Sequence, residues 1–459
     1  MENRQVVKNA GWIIGIQIIK SIVVLAISML TARFLGPSNY GLINYASSIV
    51  AFVAPIMYLG FSGSLVSELV NDPDNEGKIL GTAITLSFCS SLFCIAGIIG
   101  FVAIVNAGEI ETLIVCALYS VLLIFQSIDL IQYWFQAKLL SKYSSLASFC
   151  AYLVVASYKV ALLFLGKGVY WFAISNALDY MLIAVLLLII YKKKGGAKLS
   201  FSWAYAKSMF GRSKYYILSN LMIAVFGQTD RIMLKLMVDD AATGFYSAAS
   251  TCAGMLSFVY SAIIDSMRPL VFSSKKEHSA KYEKSVICLY SIIIYLALIQ
   301  SLVMTLAAPW IVNILYGEEY SSSISALQII VWYCTFTYLG GARGVWILAE
   351  GKQKHIVLIN LVGALLNIGL NFALIPYLGV NGAAIATVIT QFFTNVVFVC
   401  AYKPTRRNGY FLLQALNPKY LLTAIKQVKM QFHKRKEPSQ AATQPNENKQ
   451  IDAEKSDDL

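Results

Sequence analysis

Twelve apolar runs, each about 20 residues or longer, recur near 10–33, 41–66, 79–105, 111–134, 146–166, 169–190, 214–236, 242–268, 286–309, 323–349, 355–376 and 381–402. A helix of that length crosses a hydrocarbon core of roughly 30 Å. In lipid a backbone must satisfy its own hydrogen bonds, which a helix does within one segment. The pattern therefore predicts an all-α integral membrane protein with 12 transmembrane helices. Composition points the same way: of 459 residues 58% are hydrophobic and 13% charged, against roughly 25% charged in a soluble domain. A soluble multi-domain enzyme is excluded, because it could not supply a charged surface to each domain.

The net charge of +13 must then find a place. With the N-terminus inside, internal segments before the tail carry nineteen basic residues, among them Lys138, Lys142, Lys192, Lys193 and Lys194. External connections carry three, Arg33, Lys167 and Lys235, together with Glu109, Glu111, Asp239, Asp240, Glu318 and Glu319. This distribution obeys the positive-inside rule, and an even number of spans returns the C-terminus to the cytoplasm. The basic excess reads as topology, and nucleic acid is not expected as a partner. The first run reads as a retained span. It is too long for a signal-peptide core, contains Lys20, and lacks a small-residue cleavage site before Arg33.

The expected organisation is an N-terminal lobe over 1–190, a cytoplasmic linker over 191–213, and a C-terminal lobe over 214–402. The linker is marked by three consecutive lysines and Gly195-Gly196. Residues 403–436, with nine basic and no acidic residues, carry an apolar stripe of Leu421, Ile425, Val428 and Phe432. This reads as a basic amphipathic segment on the anionic inner leaflet. Residues 437–459 have no core-forming pattern and read as a disordered acidic tail.

The halves repeat. Gly41-Leu-Ile-Asn-Tyr-Ala-Ser47 resembles Gly244-Phe-Tyr-Ser-Ala-Ala-Ser250, and Leu165-Gly166 echoes Leu378-Gly379. Six spans per half is an even number, so both halves run in the same direction as a parallel pseudo-repeat.

A charge near the middle of a bilayer costs roughly 2.5–3.5 kcal/mol, so it should face a cavity or a partner. Lys20, Lys159 and Asp179 fall about 14–20 Å into their spans, at ~1.5 Å per residue. Arg343 lies in Gly340-Gly-Ala-Arg-Gly344, and Arg231 follows Asp230. Lys20, Lys159, Arg343 and Arg231 are the candidates for a basic substrate cavity. Asp179, Asp129 and Asp265 are candidates for ion or proton coupling or for structural pairing, with Lys159–Asp179 a neutralising pair as the bland alternative. Asn360, Asn367 and Asn371 share one helix face, as do Gln391 and Asn395; they read either as polar lining for sugar hydroxyls or as interhelical contacts. Trp12, Trp134, Trp171 and Trp310 sit near span ends and read as interfacial anchors. No catalytic constellation, phosphate-cradling loop or metal-spaced set is present, so no cofactor or metal is expected. All eight cysteines fall inside spans and read as small buried hydrophobes.

Arg33-Phe-Leu-Gly-Pro-Ser-Asn-Tyr-Gly41, Gln228-Thr-Asp-Arg-Ile-Met-Leu234 with Gly244-Phe-Tyr-Ser-Ala-Ala249, and Gly379-Val-Asn-Gly-Ala-Ala-Ile-Ala386 together resemble the O-antigen flippases (the Wzx type) of the polysaccharide-transport family. Their superfamily includes the multidrug-and-toxin extruders. The resemblance covers residues 1 to about 402. It implies a MATE-like V-shaped bundle of two six-helix lobes that alternates between inward- and outward-open states. It also implies export of an undecaprenyl-diphosphate-linked oligosaccharide across a bacterial inner membrane, alongside a polysaccharide polymerase and a chain-length regulator as protein partners. A drug/cation antiporter on the same scaffold is the alternative. A polymerase or ligase is disfavoured, because each external connection is short.

Overall fold

The computed structural model describes residues 2–277 and 279–423, with side chains except those of 2–14, 17–18, 212, 214–215, 276–277 and 279. Trp12 and everything beyond 423, including most of the expected amphipathic stripe and the acidic tail, lie outside the described residues. Within them the chain is helical and contains no strand. In order come α1 (Glu2–Met57), α2 (Leu65–Asn71), α3 (Glu76–Val105), α4 (Ile110–Ser120), α5 (Leu122–Gln126), α6 (Ile131–Ala137), α7 (Ser141–Phe164) and α8 (Val169–Lys193). The second half holds α9 (Trp203–Met237), α10 (Asp240–Ala253), α11 (Ser257–Glu277), α12 (Ser279–Leu315), α13 (Ser322–Ala349), α14 (Lys354–Phe392), α15 (Phe398–Ala401) and α16 (Arg407–Ala415).

Among the described residues nine helical stretches are long and apolar enough to cross a membrane. Two of them, Ile19–Met57 and Lys354–Ala401, are 39 and 48 residues long, roughly twice a bilayer's requirement. Each turns back at a glycine. Gly36 takes φ 73°, ψ 171° and Gly379 takes φ 54°, ψ −128°, conformations closed to residues with a Cβ. With α9, whose Asp230, Arg231 and Lys235 make it too polar to be one of the nine, the twelve expected segments all fall on helices.

The sequence repeat has a structural meaning. Gly41 and Gly244 lie where the two halves cross. A Cβ on Gly41 would sit 1.8 Å from the Asp240 carbonyl oxygen, and one on Gly244 would sit 2.0 Å from that of Pro37. Only hydrogen in place of a side chain permits that approach. Around this crossing, at the end of the bundle that carries Gly36, further contacts join the halves. The Tyr320 hydroxyl donates to the Ala32 carbonyl at 2.8 Å, and the Arg33 guanidinium donates to the Ile314 carbonyl at 3.4 Å. Lys235 pairs with Glu109 and with Asp240, each at 2.7 Å.

At the opposite end the non-helical connection between halves is confined to 194–202. It is strapped onto α3: the Ser200 amide donates to the Gly77 carbonyl at 3.1 Å, and the Ser202 amide to Thr82 Oγ1 at 3.0 Å. Beyond the last span, α16 buries Phe411, Leu412 and Ala415. Tyr290 donates to Asn408 at 2.6 Å and Arg407 pairs with Glu283. The first part of the basic segment thus docks on the C-terminal half. One tryptophan departs from the interfacial expectation. Trp134 is 2% exposed, with ring contacts to Phe135 and Tyr191, because its span end is covered by neighbouring helices. Trp171 and Trp310 are exposed, at 51% and 69%.

Candidate translocation site

The Gly36 end is closed by the contacts just described, and deeper in the bundle the lobes part. A gap of about 700 Å³ separates the first leg of α1, from Lys20 to Ser28, from the α10–α11 junction at Thr251–Phe258. Among the described residues lining it, Lys20 is the one that carries a charge. Lys20 is half-buried, and its ammonium lies 5.7 Å from the Tyr152 ring centroid, a cation–π distance that leaves its N–H donors available.

Lys20 also opens onto a second space, a polar cavity of about 470 Å³ inside the N-terminal lobe. Its walls include Asp129, Gln132, Ser144, Ser148 and Asp179. Asp129 sits in the 3-10 turn Ile128–Leu130 and accepts from Gln132 Nε2 at 2.7 Å; Asp179 Oδ1 has no partner. This pocket therefore holds two carboxylates and one ammonium, which departs from the basic floor expected from the sequence. Lys159 does not join it: its ammonium donates to Asn176 Oδ1 at 3.3 Å. No ion pair forms directly between Lys159 and Asp179. Counting residues along a helix gave the depth of these charges but not their azimuth.

The C-terminal lobe contains what sequence reasoning weighed least. Asp230, 5% exposed, is gripped by four side chains from two helices, α10 and both legs of α14. Asn367 and Asn371 donate to Oδ1 at 3.1 and 2.6 Å, while Tyr246 and Thr387 donate to Oδ2. The expected face of Asn367 and Asn371 thus lines a buried carboxylate. The carboxylate is surrounded by neutral hydroxyl and amide groups, with no basic partner among the described residues.

The remaining candidates disperse. Arg231 donates to Ser250 Oγ at 3.0 Å and to Gln228 Oε1 at 3.4 Å, within its own lobe. Arg343, Asn360, Gln391 and Asn395 line a separate cavity of about 460 Å³ in the C-terminal lobe. Asp265 is paired with Arg268 at 2.9 Å on an exposed face of α11 and lines neither the spaces at Lys20 nor the cavity at Arg343. The structure brings together Lys20, Asp129 and Asp179 around one pocket. Lys159 stays within electrostatic reach of Asp179 without lining that pocket, and Arg231 and Arg343 lie elsewhere.

Residues 30–325 match the model of a family described as polysaccharide biosynthesis protein. Among curated relatives, an uncharacterised membrane protein of Methanocaldococcus jannaschii is 26% identical over 49% of this chain, which spans about half (47%) of that relative's length. The capsular polysaccharide biosynthesis protein CapF of Staphylococcus aureus is 21% identical over 86% of this chain and 99% of its own. A putative O-antigen transporter of Shigella flexneri is 23% identical over 83% and 94%. Among solved structures, the lipid II flippase MurJ in an inward closed conformation superposes with a TM-score of 0.69 at 14% identity, covering 92% of each chain. An inward-facing multidrug resistance MATE family transporter of the MOP superfamily gives 0.62 at 15% identity, covering 91% of this chain and 96% of its own. At that identity the likeness is one of fold, and it is the fold of membrane transporters built from two helical lobes.

Proposed function

The chain belongs to the polysaccharide biosynthesis protein family, and on that premise we propose that it is a flippase. In this reading it carries undecaprenyl-diphosphate-linked oligosaccharide repeat units, of the O-antigen kind, from the cytoplasmic to the periplasmic leaflet of a bacterial inner membrane. The observation that carries the reading is Lys20, the charged residue facing the gap between the lobes. A diphosphate headgroup needs a cation once it leaves water, while a polyprenyl chain can remain in lipid. The apolar groove between α1, α3 and α9, about 500 Å³ and lined by Ile49, Phe52, Phe93 and Met233, gives such a chain a compatible surface.

Alternating access follows from the asymmetry of the contacts. The Gly36 end, which the charge distribution assigns to the periplasm, is held shut by Gly41–Gly244, Tyr320–Ala32 and Lys235–Glu109. Opening that end while closing the Lys20 gap would move the headgroup across. Asp230 is the coupling residue in this scheme, in place of Asp265. The drug/cation antiporter reading has one observation in its favour, the two carboxylates Asp129 and Asp179 beside Lys20, which suit a cationic substrate.

Deletion of the gene in its source strain separates the two. A flippase deletion abolishes long-chain surface polysaccharide and accumulates lipid-linked repeat units on the cytoplasmic side. Normal surface polysaccharide with heightened drug sensitivity would overturn the flippase reading.

A further inference from the structure

The cavity around Arg343 shares no lining residue with the Lys20 gap and lies among α9, α13, α14 and the π-helical turn Phe393–Val397. Arg343 is 7% exposed. One donor, Nη1, reaches the Thr394 carbonyl at 3.2 Å; Nε has no partner. No carboxylate among the described residues forms an ion pair with it. A guanidinium stays protonated even when buried, and an interior charge without a counter-ion is strongly unfavourable. The missing partner is therefore an anion.

The walls describe what kind. The planar guanidinium fork matches a phosphate or carboxylate oxygen pair. Asn360 makes no hydrogen bond to another described residue, and the Gln391 side chain engages Asn395 only as an acceptor, through Oε1, leaving its amide N–H groups for a ligand. Asn395 is seated because residue 340 is glycine, where a Cβ would lie 2.4 Å from Asn395 Oδ1. The widened π-turn supplies the Thr394 carbonyl that orients Arg343, a local departure from α-helix often found at functional sites. Apart from the Thr337 hydroxyl, the rest of the wall, Phe226, Ile347, Ile356 and Ile359 among it, is apolar. That combination suits a phosphate carried on an organic group and leaves enough volume for it.

We propose that Arg343 forms an oxyanion site in the C-terminal lobe that takes a phosphate group, separate from the gap at Lys20. The phosphate has two sources, the headgroup of an anionic bilayer lipid or soluble inorganic phosphate. The site does not depend on what the lobes translocate.

The test uses the purified full chain and its thermal unfolding midpoint. One arm titrates inorganic phosphate at constant ionic strength. The other compares nanodiscs of phosphatidylcholine with nanodiscs containing phosphatidylglycerol. The expected result is a saturable upward shift in one arm, which identifies the source. Arg343→Gln should lose that shift or weaken the apparent affinity about tenfold or more, roughly the effect of 1.4 kcal/mol, whereas Lys20→Ala keeps it. Should Arg343→Gln fail to fold, Arg343→Lys and Gln391→Leu serve: the first retains a weakened shift and the second reduces it. No shift in either arm for the wild type, a shift unchanged in Arg343→Gln, or one lost in Lys20→Ala instead would overturn the proposal.

Discussion

Gly41 and Gly244, 203 positions apart in a repeated sequence, meet across the boundary between the two halves, each against the backbone of the first turn of the other's helical leg. The relationship is self-complementary, like a two-fold interface folded into one chain. It fixes how closely the lobes approach at the Gly36 end, and with it which end of the bundle is open.

Gly41→Ala and Gly244→Ala should each force the crossing apart. Overpacking of this kind costs roughly 1–3 kcal/mol, because the colliding atoms are backbone oxygens that cannot rotate away. A fall in thermal unfolding midpoint is expected for both. Gly100→Ala is the control, since nothing lies within 4 Å of a Cβ there; an equal fall in the control would show that the close approach is not the cause.

The Glu109–Lys235 contact gives the same end of the bundle a pH dependence. The hydrogen bond from Lys235, and a second from Thr112, hold the Glu109 carboxyl below its ordinary value of 4.5. A depressed carboxyl stabilises the folded state above its unfolded pKa and loses that effect as pH falls through the folded value. The stability difference between wild type and Glu109→Gln should therefore be constant from pH 7 to about 5 and shrink below that. A difference that grows on acidification would contradict the ion pair. The effect is small, since Glu109 is 46% exposed and screened by solvent and salt, although Lys235 is buried.

Lys20→Ala should reduce surface polysaccharide about tenfold, as expected for losing ~1.4 kcal/mol of headgroup attraction, with protein levels in the membrane unchanged. Lys20→Arg should retain much of the activity. Full polysaccharide display in Lys20→Ala at normal expression would remove Lys20 from the site.

Asp230→Asn keeps the volume of the buried side chain but removes its charge and turns one of its two acceptor oxygens into a donor. Transport that normally follows an imposed ion or proton gradient should become insensitive to that gradient in this variant. Gradient dependence identical to wild type would assign coupling elsewhere, with Asp129 and Asp179 next to be tested.

The fold was legible in the sequence because lipid imposes a length on every crossing and a glycine on every impossible turn. The runs at 10–33 and 41–66 and the Gly36-Pro37 between them already describe a hairpin. The site was legible only in part. Lys20 was identifiable as an expensive charge, and the shared face of Asn367 and Asn371 followed from helical spacing. What that face grips did not follow, because Asp230, Tyr246 and Thr387 arrive from segments up to 157 residues apart. Lys159 and Arg343 were grouped with Lys20 by charge and by position along the membrane normal. That Arg343 lines a different cavity and that Lys159 turns to Asn176 depend on helix rotation, which the apolar pattern of a fully buried span leaves nearly unmarked.

The proposed movement of a lipid-linked oligosaccharide between leaflets is tested by placing the purified full chain in liposomes with undecaprenyl-diphosphate-linked repeat units in the membrane and following their exposure to an impermeant glycosidase added outside. Wild-type protein should render the inner-leaflet pool cleavable over time, and Lys20→Ala should slow this about tenfold, for ~1.4 kcal/mol. An inner pool that stays as protected as in protein-free liposomes, under an imposed ion gradient, would contradict it.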